Sequence, residues 1–284
     1  MLSHQVCKLM QPPQQIENRV ENLNRGKRPA PDDPDVQQTV KSSRTNSYGC
    51  VNWQPSPSAK ITEDIRQKLE FLKQEGKKTT RDINFPVATR FMSDTYCQQR
   101  EFLNSVPPKH TAVAKEEWPM LFKRPFFYAH ANRLLGKNVK DTFEENVRII
   151  GPSLVRHLET VNKRDVIHIL LGVEKQEKKG NNKASEAALL PLLAAFFKED
   201  AGLLYRVIPE GTTLSDVLLE LPSTPVIVAI GSLHDKCHVI CEQEQMFSEA
   251  IGFSEAACLC FLSYYVFNMA YPDAAATSLE FLQM

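Results

Sequence analysis

The sequence has little that announces a reaction. It contains no GxGxxG, no GxxxxGKS/T, no GxSxG and no HExxH, which removes the usual phosphate cradles, the hydrolase nucleophile elbow and the helical zinc pair. No Asn-X-Ser/Thr sequon occurs. Residues 1–24 are too polar, with Pro12-Pro13 among them, to read as a signal peptide. The seven cysteines, at 7, 50, 97, 237, 241, 258 and 260, are odd in number and include no Cys-x-x-Cys knuckle. Free thiols without a secretory signal predict a reducing, intracellular compartment, cytoplasm or nucleus. No internal repeat of fixed period is present, which excludes solenoids and propellers.

A net charge is missing too. The 34 Lys/Arg balance 34 Asp/Glu over 284 residues, which argues against a dedicated polyanion binder. The balance hides a split: residues 1–60 sum to +3, residues 61–180 to +6 and residues 181–284 to −9. Hydrophobic content of 42% and charged content of 24% are ordinary for a soluble protein with one or two cored domains. The most apolar stretch is 253–270, FSEAACLCFLSYYVFNMA, whose single charge is Glu255. Eighteen residues are just enough to span a bilayer. Ser254, Glu255, Ser263 and Asn268 interrupt the run, however, and no Lys or Arg flanks it. A helix apolar on every side reads better as the centre of a core, so no membrane span is expected. Pro272 should end this helix and Asp273 start another.

Residues 1–60 hold seven of the eighteen prolines and only Tyr48 and Trp53 as aromatics. Burial so poor does not offset ordering entropy, and a disordered tail is expected. Within it, Ile16, Val20 and Leu23 have helical spacing. Lys27-Arg28 followed by Lys41 and Arg44 make a thin bipartite import pattern, for which a solvated basic tail is the weightier reading. Ser56-Pro57 fits a proline-directed phosphosite. From Thr62, a predicted N-cap followed by Glu63 and Asp64, the spacing of Ile65, Leu69 and Leu72 predicts a helix up to Gly76. Pro86 opens a helix that Pro107-Pro108 closes, with Val87, Phe91, Thr95 and Phe102 inward and Arg90, Gln98 and Arg100 outward. Residues 116–122, EEWPMLF, form an apolar knot in which Trp118 reads as packed core. Helices over 126–135 and 139–161 follow, the second broken at Gly151-Pro152. Another from Arg164 runs into a polar linker or mobile loop over 175–182. Residues 185–197 predict an apolar helix interrupted by Pro191. Runs rich in Val, Ile and Tyr at 203–209, 224–230 and 238–246 predict three strands, the last two a hairpin around 232–236. The fold class is therefore α+β, mostly helical. A disordered tail over 1–60 precedes a helical region over 61–180. A small α+β region over 181–284 follows, its antiparallel β element covered by C-terminal helices, either separate or one compact body with 61–180.

One cluster has metal-like donors: His234, Cys237, His238 and Cys241, with Cys258 and Cys260 beyond. Its spacing is poor. In a strand, Cys237 and Cys241 face one side and His238 the other, while Cys258 and Cys260 diverge by about 200° on a helix. Small, buried, apolar cysteines explain these positions better. Cys241 with His234 is the local candidate for a thiol or zinc enzyme, but it falls in a predicted strand rather than at a helix N-terminus. The Lys-Glu-Asp run at 198–200 is explained by a helix end. No catalytic, cofactor-binding or metal-binding residue is assigned, and no cofactor. Basic clusters at Lys77-Lys78-Arg81, Lys123-Arg124, Arg133-Lys137-Lys140 and Arg156-Lys163-Arg164 raise nucleic acid as a partner. Against it, Glu116-Glu117 and Glu144-Glu145 interleave, and aromatics do not alternate as a stacking platform would need.

Six blocks recur in this order in one group of proteins: Ser47 to Pro55 (SYGCVNWQP), Thr95 to Arg100 (TYCQQR), Trp118 to Phe122 (WPMLF), Phe197 to Asp200 (FKED), Tyr264 to Asn268 with Tyr271-Pro272, and Leu279 to Gln283 (LEFLQ). Over about residues 45–284 the chain resembles a large set of fish proteins, mostly without assigned function. Many of those resemble the C-terminal region of sterile alpha motif domain-containing protein 3. The resemblance implies no activity or catalytic residue, and the chain shows no sterile alpha motif domain. The function expected is that of a non-enzymatic, intracellular protein-interaction module with a protein partner. A nucleic-acid-associated role through 61–180 is the alternative.

Overall fold

A computed structural model describes residues 61–283. The expectations for 1–60 lie outside the described residues: the disordered tail, the Ile16/Val20/Leu23 helix, the import pattern at Lys27, Arg28, Lys41 and Arg44, and Ser56-Pro57. Helix α1 (Glu63–Gly76) starts where its cap predicts. Thr62 Oγ1 accepts the Ile65 amide at 3.3 Å, and Glu63 and Asp64 occupy the first turn. Two helices, α2 (Phe85–Asp94) and α3 (Tyr96–Leu103), replace the single one expected after Pro86. The break is at Thr95, whose hydroxyl donates to the Phe91 carbonyl at 2.7 Å, a bond that competes with helical continuity. The change of direction carries Arg100, expected outward, fully inside.

Helix α4 (Thr111–Glu117) runs into a 3₁₀ turn over Pro119–Phe122, where Trp118, Met120, Leu121 and Phe122 are all buried. A Cβ on Gly76 would come within 2.5 Å of the Pro119 ring, so glycine is what lets α1 lie against this knot. Helix α5 (Arg124–Leu135) ends at Gly136, whose φ of 68° is the left-handed cap. Helix α6 (Val139–Glu159) passes straight through Gly151-Pro152 instead of breaking. Pro152 forfeits one backbone bond on the exposed side, while buried Gly151 admits the Leu189 side chain. Helix α7 (Arg164–Lys178) takes in the first half of the expected linker. Val173 is buried there and a Glu174–Lys178 ion pair ties the last turn. Helix α8 (Ala184–Phe197) runs without interruption through Pro191, which is buried.

Four strands follow, β1 (Tyr205–Ile208), β2 (Val226–Ile230), β3 (Lys236–Cys241) and β4 (Glu244–Gln245), in the spatial order β1-β2-β3-β4. The β2–β3 hairpin is antiparallel, with Ile227 opposite Val239. The sheet departs from the expected three-stranded antiparallel element in two ways. Strand β1 pairs parallel to β2, Tyr205 opposite Ile227. The connection over 209–225, with its short helix α9 (Leu214–Val217), supplies the crossover that parallel pairing needs. The run expected as one strand over 238–246 reverses at Glu242 and Gln243, both at positive φ, 49° and 61°, the backbone twist that favours tight hairpins.

One sheet face, with Ile227, Ala229, Cys237, Val239 and Cys241, enters the main core against α10 (Phe253–Val266). The other face, with Val226, Val228 and Ile240, is covered by Leu214, Val217 and Leu218. Helix α10 is the central apolar helix that its composition predicts, but it stops at Val266, short of Pro272, and the chain turns at Asn268, whose φ is 53°. Beyond it, Pro272 and a 3₁₀ turn over Asp273–Ala275 lead into α11 (Ala276–Gln283). The main core unites Leu72, Met120 and Phe127 with Leu204, Val239 and Tyr264. A second cluster joins α6, α7 and α8 through Leu158, Val166 and Leu192. The architecture is α+β and mostly helical. Among the described residues, no helix is long and apolar enough to cross a membrane.

Candidate functional site

The fold separates Cys241 from His234, although Cys237, Cys241, Cys258 and Cys260 all enter the main core and Cys241 comes near Cys260. Cys241 ends β3, whereas His234 lies in the turn before it, so the whole strand separates them, about 17 Å at ~3.4 Å per residue. Cys241 is fully buried, with its sulfur 3.5 Å from Thr111 Oγ1 and 3.7 Å from Met269 Sδ. The alternation along β3 places Cys237 and Cys241 in the main core, while half-exposed His238 meets the Gln245 side chain at 3.1 Å. Burial pushes the thiols of Cys237 and Cys258 up to about 12 and that of Cys260 higher still, away from the thiolate a nucleophile or zinc ligand needs. No group of three or more His, Cys, Asp or Glu among the described residues is arranged to hold a metal ion.

Sequence periodicity missed a buried polar cluster. Arg100 donates through Nη1 to the Val266 carbonyl at 2.7 Å and through Nη2 to Asn104 Oδ1 at 3.0 Å. Its Nε meets no partner. Desolvation lowers its pKa to about 10, which leaves the guanidinium charged at neutral pH. Beside it, Gln99 donates to the Met92 carbonyl at 2.7 Å and presents Oε1 to His130 Nδ1 at 2.8 Å. Since Oε1 only accepts, His130 carries its proton on Nδ1. Tyr96 packs on the His130 ring with centroids 4.9 Å apart, and the Arg133 guanidinium lies 4.1 Å from the Tyr96 ring. This cluster clamps α3 to α5 and to the end of α10. Tyr96, Gln99, Arg100 and His130 are buried, and Arg133 reaches the surface.

Glu199, from the run at 198–200, and Glu242, which the sequence did not single out, are both caps. Glu199 accepts the amides of Thr277 and Ser278 at 2.6 and 2.9 Å, fixing the start of α11. Glu242 accepts the amide and hydroxyl of Thr111 at 2.7 and 2.8 Å, holding the strained hairpin turn to the start of α4.

Two accessible features of the described residues combine apolar and charged side chains. The first is the outer face of α7, where Ile167 and Leu171, one turn apart, are 40% and 59% exposed. Arg164, His168, Glu174 and Lys175 surround them, also exposed, and Val166 and Val173 anchor the opposite side in the second cluster. The second is a cleft of about 260 Å³ between the start of α5, the first turn of α6 and residues 247–249. Arg124 spans it, donating to Glu255 at 3.0 and 3.2 Å and to Glu249 at 2.6 Å. Tyr128 forms part of the wall, with the Lys140 ammonium 5.8 Å from its ring. Burial raises the Tyr128 phenol far above its ordinary value.

No family model, curated protein or solved structure matches the chain. Five of the six sequence blocks quoted above lie within the described residues, and each has a structural task. Thr95–Arg100 forms the polar clamp, Trp118–Phe122 the apolar knot, and Phe197–Asp200 the helix end with its Glu199 cap. Tyr265 and Tyr271 share a hydroxyl contact at 3.0 Å, and Tyr271 donates to Gln283 in the last block at 3.1 Å.

Proposed function

We propose that this is a non-enzymatic intracellular interaction module, and that the outer face of α7 is where a protein partner binds. The observation that carries the reading is the exposed Ile167–Leu171 pair on a helix already anchored from behind. An apolar stripe one helical turn long, rimmed by charged side chains of both signs, matches how helices present anchors to partner proteins. The reading is supported further by the use made of the chemistry-bearing groups. Arg100, His130, Cys241, Glu199 and Glu242 are each spent on packing, clamping or capping. The test compares full-length protein with an Ile167→Lys/Leu171→Lys variant as bait in cell lysates, with quantified co-purification. Both side chains face solvent, so the variant should melt like the parent. Loss of specific co-purifying proteins is the expected result. An unchanged set from the folded variant removes α7 from the proposal.

A further inference from the structure

We infer that the cleft at the start of α5 binds a small organic anion with a flat apolar body. This is independent of the α7 face. At about 260 Å³ the cleft suits one ring with an acidic substituent, just under the ~300 Å³ lower end of common ligand sites. Phe122, Tyr128 and Phe247 supply carbon surface for the ring. The sign of the ligand follows from the balance of the lining, three cations, Lys123, Arg124 and Lys140, against two carboxylates, Glu249 and Glu255. Both carboxylates share the single charge of the Arg124 guanidinium through three hydrogen bonds. Lys123 and Lys140 are not neutralised in the same way. Lys123 donates to a main-chain carbonyl, that of Lys78, at 2.9 Å, which leaves its full charge in place. Lys140 reaches Glu144 only at 3.7 Å, with both side chains largely in solvent. Its ammonium stands over the Tyr128 ring, so cation and aromatic wall lie together, as an aryl phosphate or aryl carboxylate requires. A polymeric anion is disfavoured by size and by Glu249, which is 54% exposed on the rim.

The probe is phenyl phosphate, titrated calorimetrically into the full-length chain, with inorganic phosphate and phenol as half-ligands. Saturable binding of phenyl phosphate is expected, with each half-ligand weaker by about tenfold or more. Lys140→Met should weaken phenyl phosphate about tenfold, the usual weight of one charge-assisted contact, and leave the melting temperature unchanged. Lys123→Met is the second variant, and amide shifts of Phe122 and Phe247 on titration report the site directly. Absence of phenyl phosphate binding by the folded chain overturns the inference. So does equal affinity in the parent and the Lys123→Met/Lys140→Met double variant.

Discussion

An imidazole enclosed between helices has to stay neutral, and His130 shows the consequence for stability. Burial first, then the charges of Arg100 and Arg133, hold its pKa well below the ordinary 6.5. The unfolded chain takes up a proton near 6.5 while the folded chain does not. Stability is therefore full above that pH and falls below it by up to about 1.4 kcal/mol per pH unit. Toward pH 4.5 carboxylates titrate as well, among them Glu280, raised by partial burial and by Glu199, so the total slope is not histidine's alone. His238 is also lowered, by partial burial and Lys236, which makes the difference between variants the clean measurement. Urea unfolding across this window should show a shallower acid slope for His130→Asn, whose amide still donates to Gln99. An identical slope would show that His130 is not the group responsible. None of this could be read from the sequence, where His130 lies in an apolar helix and Arg100 falls on the outward side of a helical pattern. The partner that draws Arg100 inward is the Val266 carbonyl, 166 residues away. Periodicity has no access to so distant a contact.

At the scale of elements the local signals were strong wherever a cap or a turn residue set the boundary. Thr62 and Gly136 mark helix ends that the fold keeps, whereas the apolar helix expected to run to Pro272 already stops at Val266. The signals misled where packing outweighed backbone cost. Pro152 and Pro191 each remove one helical hydrogen bond, yet α6 and α8 continue because Leu154, Leu158, Leu192 and Leu193 bury against one another in the second cluster. The same competition predicts opposite outcomes for two helical glycines. Alanine is favoured over glycine in a helix by about 1 kcal/mol. At Gly172 a Cβ meets nothing within 4 Å, and Gly172→Ala should gain roughly 0.5–1 kcal/mol. At Gly76 it would meet the rigid Pro119 ring at 2.5 and 2.6 Å. Gly76→Ala should lose about 1–3 kcal/mol despite its better helix propensity. Denaturant midpoints of the two variants check the pair. A stabilised Gly76→Ala would mean that α1 does not need its close approach to the knot.

For the molecule as a whole, the decisive fact about charge is where it is spent. The +6 and −9 regions meet across Arg124, which takes both Glu249 and Glu255, and across the Lys115–Glu244 pair at 3.2 Å. Other cations are occupied too. Lys78 pairs with Glu75, and Arg133 donates to the Ser93 carbonyl at 2.8 Å. The basic clusters that raise nucleic acid in the sequence are therefore partly answered within the chain. Acidic side chains such as Glu117 and Glu145 stand among those that remain. A phosphate backbone needs several free cations along one track, and an acidic surface within a Debye length of ~8 Å opposes it at physiological salt. The main core draws on both regions, so the comparison has to be made on the intact chain, not on residues 61–180 alone. Full-length protein titrated with duplex DNA and with single-stranded RNA should bind weakly at low salt. That binding should vanish by about 0.15 M salt, the mark of a few unspecific phosphate contacts. Tight or sequence-selective binding at that salt would replace the protein-partner reading with a nucleic-acid one, and would require the cations of α6 and α7, Arg156, Arg164 and Lys175, to act as one surface.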